Sequence, residues 1–274
     1  AAATNDGQIQ IWKRVAPNAS VWEPSTSLTA NAAIHDLAYR RDGGMLAAAT
    51  DDATVLLFRT DKWQLPPVRL TGHRRAVLSV DFAPAGSPGM LASGSADRTV
   101  RLWDTRTGKL IRTIVGHAGD VWSVDFSPKA DRLVTASQDF TARIWPVDTG
   151  SECQRFRQHN EPVFCARFSP DGRSVASGGY DKRVMLWAAD QTAPVQLTLV
   201  NEVVERLSKK QSVDDIELED ERIRVLEGHT GGIRDIQFSR DGRLIVSAAR
   251  DNTLRLWDAD PAHPSAGETD WLTR

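Results

Sequence analysis

Cysteine is scarce in this sequence, because Cys153 and Cys165 are the only two among its 274 residues. Two cysteines form at most one bridge, which excludes a small domain held together by a disulfide framework and fits a reducing compartment. The spacing of these cysteines and His159 does not match a zinc site. We therefore expect a cytoplasmic protein with no metal and no cofactor.

Excess charge and long apolar runs are also missing. The net charge is −2, and basic residues cluster only in pairs such as Arg74–Arg75, so a nucleic-acid partner is not favoured. No apolar run approaches the roughly 18 residues of a membrane span. No glycine-rich phosphate loop precedes a helix. These absences leave a globular chain with neither a membrane nor a nucleotide as its expected partner.

The sequence does contain an internal repeat. An aspartate followed six positions later by an aromatic residue occurs six times, mostly at intervals of 42 to 46 residues. The pairs are Asp6/Trp12, Asp52/Phe58, Asp97/Trp103, Asp139/Trp145, Asp181/Trp187 and Asp251/Trp257. Four units also carry a histidine well before the aspartate and a hydroxyl residue four positions before it. The histidines are His73, His117, His159 and His229, and the hydroxyl residues are Ser93, Thr135, Ser177 and Ser247.

Each unit has the pattern of four short strands. Segments such as "VWSVDF" alternate apolar and polar residues, Asp-Gly turns follow several of them, and the third strand ends on the aromatic residue. A fourth, weaker strand leads to the next histidine. Four antiparallel strands in about 42 residues are typical of one blade of a β-propeller.

The motifs Gly72-His73, Gly116-His117, Trp103-Asp104 and Trp257-Asp258 resemble those of the WD40 repeat family. The resemblance covers nearly the whole chain, and it implies a single all-β propeller domain over residues 1–274. We expect five complete four-stranded blades and one partial blade. Either the ring has six blades with an irregular closure, or these blades belong to a larger ring; since seven is the commonest blade number in this family, we expect the parent ring to be seven-bladed. The regular repeats also resemble bacterial WD40 arrays, in which the propeller is covalently linked to an upstream signalling or NTPase domain.

A histidine, a hydroxyl and an aspartate in each set also suggest a hydrolase. A hydrolase needs one exposed nucleophile and an oxyanion site, normally once per protein, whereas here the set occurs four times. The resemblance implies a buried chain in which aspartate accepts from histidine, histidine bonds the hydroxyl, and the hydroxyl accepts from the indole N–H. We therefore predict that the sets are structural and that the chain is not an enzyme.

Two regions depart from the repeat. The second unit has Ala30, Ala48 and Phe58 at the positions of histidine, hydroxyl and tryptophan, so it lacks the whole polar set. Residues 189–221 form an acidic and amphipathic insertion between the third and fourth strands of one unit. Its sequence "DDIELEDE" at 214–221 predicts either a solvated loop or a docking arm.

The resemblance also implies a partner-binding face at the end of the propeller where the Gly-His loops emerge. Two positions in each blade face that surface: the fifth residue after the histidine and the residue before the aspartate. The predicted site residues are His35, Leu78, Trp122, Phe164 and Arg234 at the first position, and Gln138, Tyr180 and Arg250 at the second. Aromatic residues and arginine predominate in protein-interface hot spots, so we predict a protein or peptide partner. The alternative is that Trp122 or Phe164 folds inward as core.

Two other functions remain open. A propeller enzyme would use carboxylates on the central channel, where Asp81, Asp125 and Asp235 are taken as equivalent repeat positions. A histone-tail or RNA-binding propeller is the second alternative, and the near-neutral charge argues against RNA.

Overall fold

The computed structural model describes residues 1–15, 21–84, 89–190 and 223–259. Within these ranges every regular element is a β-strand, and the strands form six consecutive antiparallel sheets. This arrangement confirms the all-β architecture of propeller blades expected from the repeat. The described residues contain no helix that could cross a membrane.

Strand bounds follow the repeat. Sheet 1 contains β1 (Ala2–Ala3), β2 (Gln8–Arg14) and β3 (Trp22–Thr29), and sheet 2 contains β4 (Ile34–Tyr39), β5 (Met45–Thr50), β6 (Thr54–Arg59) and β7 (Val68–Thr71). Sheet 3 contains β8 (Val77–Phe82), β9 (Met90–Ser95), β10 (Thr99–Asp104) and β11 (Lys109–Val115). Sheet 4 contains β12 (Val121–Phe126), β13 (Arg132–Ser137), β14 (Ala142–Pro146) and β15 (Gln154–Phe156). Sheet 5 contains β16 (Val163–Phe168), β17 (Ser174–Gly179), β18 (Val184–Ala188) and β19 (Ile223–Leu226), and sheet 6 contains β20 (Ile233–Phe238), β21 (Leu244–Ala249) and β22 (Leu254–Asp258).

The turn between the second and third strands is built around the repeat aspartate. In sheet 4, Asp139 Oδ1 accepts the N–H of Thr141 at 3.1 Å, and Phe140 between them has a φ of 68°. The residue after the aspartate has a positive φ in sheets 2 to 6 alike. Side chains other than glycine and asparagine rarely adopt this conformation, and the aspartate compensates by closing the turn with its own carboxylate.

The sheets pack face to face through apolar side chains. Between sheets 4 and 5, Val134 and Ile144 of one sheet contact Val163 and Trp187 of the next in a single buried cluster. The closest approach occurs where the residue is small. A Cβ added to Gly178 would lie 2.6 Å from Ile233 Cγ2, so this glycine sets the spacing between sheets 5 and 6.

The outer face of sheet 6 differs from the equivalent faces of the other sheets. Leu254 is 46% exposed and Leu256 is 40% exposed, whereas Val184 and Leu186 at the same positions of sheet 5 are buried. No described residue covers this face. The sequence predicts five complete blades; within the described residues four sheets have four strands, sheets 1 and 6 have three each, and residues 260–274 lie outside this description.

Most of the 189–221 insertion also lies outside the described residues. The strands on either side of it, β18 and β19, are paired neighbours, with Trp187 opposite Ile223. The chain therefore leaves and re-enters sheet 5 between its third and fourth strands.

Candidate functional site

The repeat set of sheet 4 is one connected chain of buried hydrogen bonds. His117 Nδ1 lies 2.8 Å from Asp139 Oδ2, and His117 Nε2 lies 2.7 Å from Thr135 Oγ1. The Trp145 indole donates to the same hydroxyl at 2.9 Å. With its proton on Nδ1, the imidazole donates to the carboxylate and accepts from the hydroxyl, which in turn accepts from the indole.

Sheets 3, 5 and 6 repeat this geometry, and we refer to the four sets as the tetrads. Their His Nδ1–Asp distances are 2.9, 2.8 and 2.8 Å, and their His Nε2–Ser distances are 2.8, 2.8 and 2.7 Å. The indoles donate to the same serines at 2.8, 3.1 and 2.8 Å. The residues are His73, Ser93, Asp97 and Trp103 in sheet 3, His159, Ser177, Asp181 and Trp187 in sheet 5, and His229, Ser247, Asp251 and Trp257 in sheet 6.

The tetrad hydroxyls are not accessible as a catalytic or binding site. They are candidate site residues in the sequence, and a hydrolase would need one of them to face a substrate. The structure contradicts that alternative, because all four residues are 0% exposed: Ser93, Thr135, Ser177 and Ser247.

The bonding of the tetrad serines gives the physical reason for their burial. Each hydroxyl is held between a histidine Nε2 and an indole N–H of its own sheet. Ser93, Ser177 and Ser247 are therefore internal hydrogen-bond partners, the arrangement that the family resemblance implies, and not exposed nucleophiles.

The electrostatics of the sheet 4 tetrad also suit a structural role. Burial lowers the pKa of His117, which favours the neutral ring that this bonding pattern needs. Burial opposes ionisation of Asp139, but hydrogen bonds from His117 and Thr141 outweigh it and lower the pKa of that carboxyl. The pair therefore consists of a neutral imidazole and an ionised carboxylate at neutral pH.

Sheet 2 replaces the polar set by apolar contact. Ala30, Ala48 and Phe58 are buried in one cluster, so no indole N–H needs an acceptor there. Asp52 is held instead by the Thr50 hydroxyl at 2.6 Å and by Arg69 at 2.8 Å.

A β-bulge interrupts the first strand of sheets 2 to 6 at the predicted partner-face position. In sheet 4, Val121 pairs with Ser137 and Ser123 pairs with Ala136, which leaves Trp122 as the extra, unpaired residue. The equivalent shifts leave His35, Leu78, Phe164 and Arg234 unpaired. A bulge bends its strand and redirects the side chain of the extra residue, so all five side chains are re-aimed in the same way.

The second predicted position is tied to the first by a backbone bond. The N–H of Tyr180 donates to Pro162 O at 2.8 Å, and the N–H of Arg250 donates to Gly232 O at 2.9 Å. Gln138 bonds Asp120 O in the same way. Since each acceptor lies just before the first strand of its own sheet, this bond brings the second position beside the bulge residue of the same sheet.

Five of the predicted residues form one contiguous surface, which we call the aromatic ladder: Trp122, Phe164, Tyr180, Arg234 and Arg250. The Trp122 and Phe164 rings stack with centroids 4.5 Å apart and planes 18° apart. The Phe164 and Tyr180 centroids are 5.9 Å apart. The guanidinium carbons of Arg234 and Arg250 lie 4.8 and 5.5 Å from the Phe164 centroid.

The ladder is a surface and not a part of the core. Trp122 and Phe164 are half-buried and belong to none of the buried clusters, while Tyr180, Arg234 and Arg250 are exposed. Arg250 also donates to the Tyr180 hydroxyl at 3.1 Å. The Tyr180 ring fits where Gly232 lacks a side chain, because a Cβ there would lie 3.1 Å from Tyr180 Cα and 3.5 Å from its ring.

The three other predicted site residues are not linked to the ladder by any ring contact within the described residues. His35 bonds Asp51 through Nε2 at 3.0 Å, on sheet 2. Leu78 and Gln138 occupy the equivalent positions of sheets 3 and 4, half-buried and exposed respectively.

Carboxylates of the first strands join neighbouring sheets. Asp81 Oδ2 accepts the N–H of Phe126 at 2.8 Å, and Asp125 Oδ2 accepts that of Phe168 at 2.8 Å. Asp235 is not equivalent to them, contrary to the expectation from sequence. Asp235 lies opposite Ala248 on the neighbouring strand, just as Ser123 lies opposite Ala136, so it occupies the strand position of Ser123 and not that of Asp125. Its carboxylate forms an ion pair with Arg167 at 3.1 Å. The channel carboxylates thus have different roles, and no group of three metal-ligating side chains occurs within the described ranges.

We expect the inner-strand carboxylates to make stability fall with rising pH. Burial, and then the charge of Asp125, raises the pKa of Asp81. Since an unfolded aspartate ionises near pH 4, the native state binds more protons above that pH, and the free energy of unfolding falls until the raised pKa is passed. Asp81→Asn keeps an oxygen acceptor for Phe126 and cannot ionise, so its urea-unfolding free energy should change less between pH 5 and pH 8.

Between pH 5 and the raised pKa of Asp81, the free energy of unfolding of the wild type should fall by about 1.4 kcal/mol for each pH unit. Asp148→Asn, at an exposed carboxylate, is the control and should keep the wild-type pH slope. An unchanged slope in Asp81→Asn contradicts the assignment.

Comparison with known sequences gives a family match. The profile of the family described as "WD domain, G-beta repeat" matches residues 65–104, 108–146, 150–188 and 220–258, together more than half of the chain. The segment 108–146 contains the fourth strand of sheet 3 and the first three strands of sheet 4. Each sequence repeat therefore spans two adjacent sheets.

Individual relatives cover the chain to different extents. It is 28% identical to nuclear distribution protein PAC1 of Arthroderma otae over 239 residues, which are 86% of this chain and 38% of that protein. It is 40% identical to WD repeat-containing protein SL1-17 of Schistosoma mansoni over 187 residues, 68% of this chain and 52% of that protein. It is 32% identical to human coronin-7 over 139 residues, 48% of this chain and 15% of that protein. The chain therefore spans about half or less of the length of these relatives.

Proposed function

This chain belongs to the WD40 repeat family, and from that premise we propose that it is a non-catalytic interaction module that binds a polypeptide on the aromatic ladder. The observation that carries the proposal is the ladder itself. Stacked aromatic rings and two arginines on an exposed surface have the composition of a protein-interface hot spot. Rings held by bulges and by stacking lose little conformational freedom on binding, which favours affinity.

Two observations support a non-catalytic role. The four serine or threonine hydroxyls that resemble nucleophiles are buried and already bonded on both sides. Among the inner-strand carboxylates, Asp81 and Asp125 each accept a backbone N–H of the next sheet. Both groups therefore have a structural use that accounts for their presence without a substrate.

The cellular setting is part of the proposal. Cys153 and Cys165 are both free thiols, and Cys165 is buried, which agrees with a reducing compartment such as the cytoplasm. A net charge of −2 favours a protein over a nucleic acid as the partner. A covalently linked upstream signalling or NTPase domain remains a prediction from the regularity of the repeats.

Peptide selection tests the proposal. A random dodecapeptide library displayed on phage would be selected on the chain, and the Kd of selected peptides measured by fluorescence polarisation. We expect Trp122→Ala and Phe164→Ala each to weaken binding about thirtyfold, since truncating a hot-spot side chain costs about 2 kcal/mol.

Trp22→Ala is the matched control, because Trp22 is an exposed tryptophan on β3 outside the ladder. It should leave the Kd unchanged, and all three variants should keep the wild-type circular dichroism spectrum. Peptides that bind the two ladder variants as tightly as the wild type would show that the partner surface lies elsewhere.

A further inference from the structure

Two arginines of the ladder share one aromatic platform. The guanidinium carbon of Arg234 lies 4.8 Å from the Phe164 centroid, and that of Arg250 lies 5.5 Å from the same centroid and 4.9 Å from the Tyr180 centroid. Arg234 extends from the bulge of β20, and Arg250 follows β21 of the same sheet. Two guanidinium groups are thus held against the same aromatic ring.

Neither charge is compensated within the part of the chain that the structure describes. Arg69, Arg132 and Arg143 each reach a carboxylate within 3 Å, whereas Arg234 and Arg250 form no ion pair there. Burial, and then the positive charge of Arg250, lower the pKa of Arg234. Holding like charges together is unfavourable, and an incoming anion would relieve that cost.

The stacking leaves donors free for such an anion. A guanidinium has five N–H donors, and Arg250 uses one on the Tyr180 hydroxyl. Stacking on a ring occupies the face of the guanidinium and leaves its N–H edges available for bidentate bonds to a carboxylate. The neighbouring rings of Trp122 and Phe164 offer an apolar surface within the same site.

We propose that the polypeptide bound by the ladder is acidic, with an aspartate or glutamate carboxylate bridging Arg234 and Arg250 and an adjacent apolar side chain packed on Trp122 and Phe164. This inference rests on the proposed function, because it specifies the chemistry of the partner at the same surface. The carboxylate provides orientation and selectivity through its charge-assisted bonds, and the apolar neighbour provides buried area.

Five defined pools of synthetic dodecapeptides test the inference. Each pool fixes a central pair, Glu-Leu, Gln-Leu, Lys-Leu, Glu-Ser or phosphoserine-Leu, and fills the other positions with a mixture of Gly, Ala, Ser and Thr. Binding to the 274-residue chain is measured by biolayer interferometry. We expect the Glu-Leu pool to bind at least about tenfold more tightly than the Gln-Leu, Lys-Leu and Glu-Ser pools.

Charge reversal provides the second arm. The double variant Arg234→Glu/Arg250→Glu should prefer the Lys-Leu pool, and Arg234→Gln/Arg250→Gln should bind the Glu-Leu and Gln-Leu pools equally. Arg106→Glu is the matched control, since Arg106 is 75% exposed in the turn between β10 and β11, outside the ladder. It should keep the wild-type preference, and thermal melts should show that all variants are folded.

The outcomes separate the two proposals. Equal binding of the Glu-Leu and Gln-Leu pools by the wild type, exclusive binding of the phosphoserine pool, or an acidic preference that survives charge reversal overturns the inference. If Trp122→Ala still abolishes binding in those cases, the ladder remains the partner surface. If Trp122→Ala also leaves binding unchanged, the proposed function fails as well.

Discussion

Replacing Thr135 with valine should lower the free energy of unfolding by about 3 kcal/mol, although the two side chains have nearly the same shape. The Thr135 hydroxyl lies 2.7 Å from His117 Nε2 and accepts the Trp145 indole N–H at 2.9 Å. Valine fills the space but bonds neither ring. Each stranded polar group costs about 1–3 kcal/mol when it stays buried, and water has no access to this site. Urea unfolding monitored by circular dichroism measures the loss.

Thr135→Ser is the matched control. It keeps the hydroxyl and removes only a methyl group, and serine already stands at this position in the other tetrads, as Ser93, Ser177 and Ser247. We expect it to cost about 1 kcal/mol. Equal losses for serine and valine would mean that packing, and not the tetrad, accounts for the stability at Thr135.

Replacing Gly178 with leucine should be at least as damaging, with a loss of about 3 kcal/mol or more. Its Cβ alone would lie 2.6 Å from Ile233 Cγ2 and 2.7 Å from Ile236 Cδ1, both in the first strand of sheet 6. Neither isoleucine has room to withdraw, because both are buried in the cluster between the two sheets. The sheets must therefore separate, and the apolar contacts between them are lost. The free energy of unfolding in urea measures this loss too.

Ala248→Leu tests whether the stability loss expected for Gly178→Leu comes from the clash with sheet 6 or from placing a leucine at this strand position. Ala248 has the same place in sheet 6 as Gly178 has in sheet 5, opposite Leu254 and Val184 respectively. Leu254 is 46% exposed, because no described residue covers that face of sheet 6. We expect the free energy of unfolding of Ala248→Leu to stay within about 0.5 kcal/mol of the wild type. A large loss in this variant would count against close packing as the cause.

The sequence indicates which residues form the tetrads because three members of each set have a fixed local spacing and the histidine recurs 22 or 24 residues before the aspartate, while the bonding between them is implied by the family resemblance. The aspartate closes a turn four residues after the hydroxyl, and strand alternation carries the aromatic residue to the same face. In sheet 4 these rules place Thr135, Asp139 and Trp145, and the preceding loop supplies His117. The donor-only chemistry of the indole then requires an acceptor beside Trp145.

What the sequence leaves open at the tetrads is the accessibility of their hydroxyls. The sequence of a strand that carries a serine is the same whether that side chain faces a cleft or the interior. Packing between adjacent sheets decides the matter, and it leaves no exposed surface on Ser93, Ser177 or Ser247. The choice between a nucleophile and an internal acceptor therefore depends on contacts between repeats that are distant in sequence.

The geometry of the ladder follows less directly from the sequence. The positions of Trp122 and Phe164 follow from the repeat, but their stacking at 4.5 Å depends on bulges in two different sheets. A bulge adds one residue without any marked change in composition. The bulge is seen only in the structure, where Trp122 stands between Val121 and Ser123, whose partners on β13 are adjacent residues. Asp235 differs from Asp81 for a simpler reason, since it is the third residue of its strand and Asp81 is the fifth.

The residues that resemble a catalytic site and the residues of the candidate partner surface are therefore different groups in this molecule. In sheets 3 to 6 the tetrad groups, which resemble a hydrolase site, are hydrogen-bonded to one another in the interior. The candidate partner surface consists instead of three bulge residues, Trp122, Phe164 and Arg234, together with Tyr180 and Arg250. His117 is buried and Arg250 is exposed, although both belong to loops at the same end of the sheets.

Hydrogen exchange of the tryptophan indole N–H groups, measured by ¹⁵N NMR, tests the structural role of the tetrads most directly. The indoles of Trp103, Trp145 and Trp187 each donate to a buried hydroxyl, whereas Trp22 is 54% exposed and serves as an internal reference. We predict that the three tetrad indole protons exchange at least about a thousandfold more slowly than that of Trp22, because exchange requires the sheet to open. Exchange of the tetrad indoles at the rate of Trp22 would contradict it.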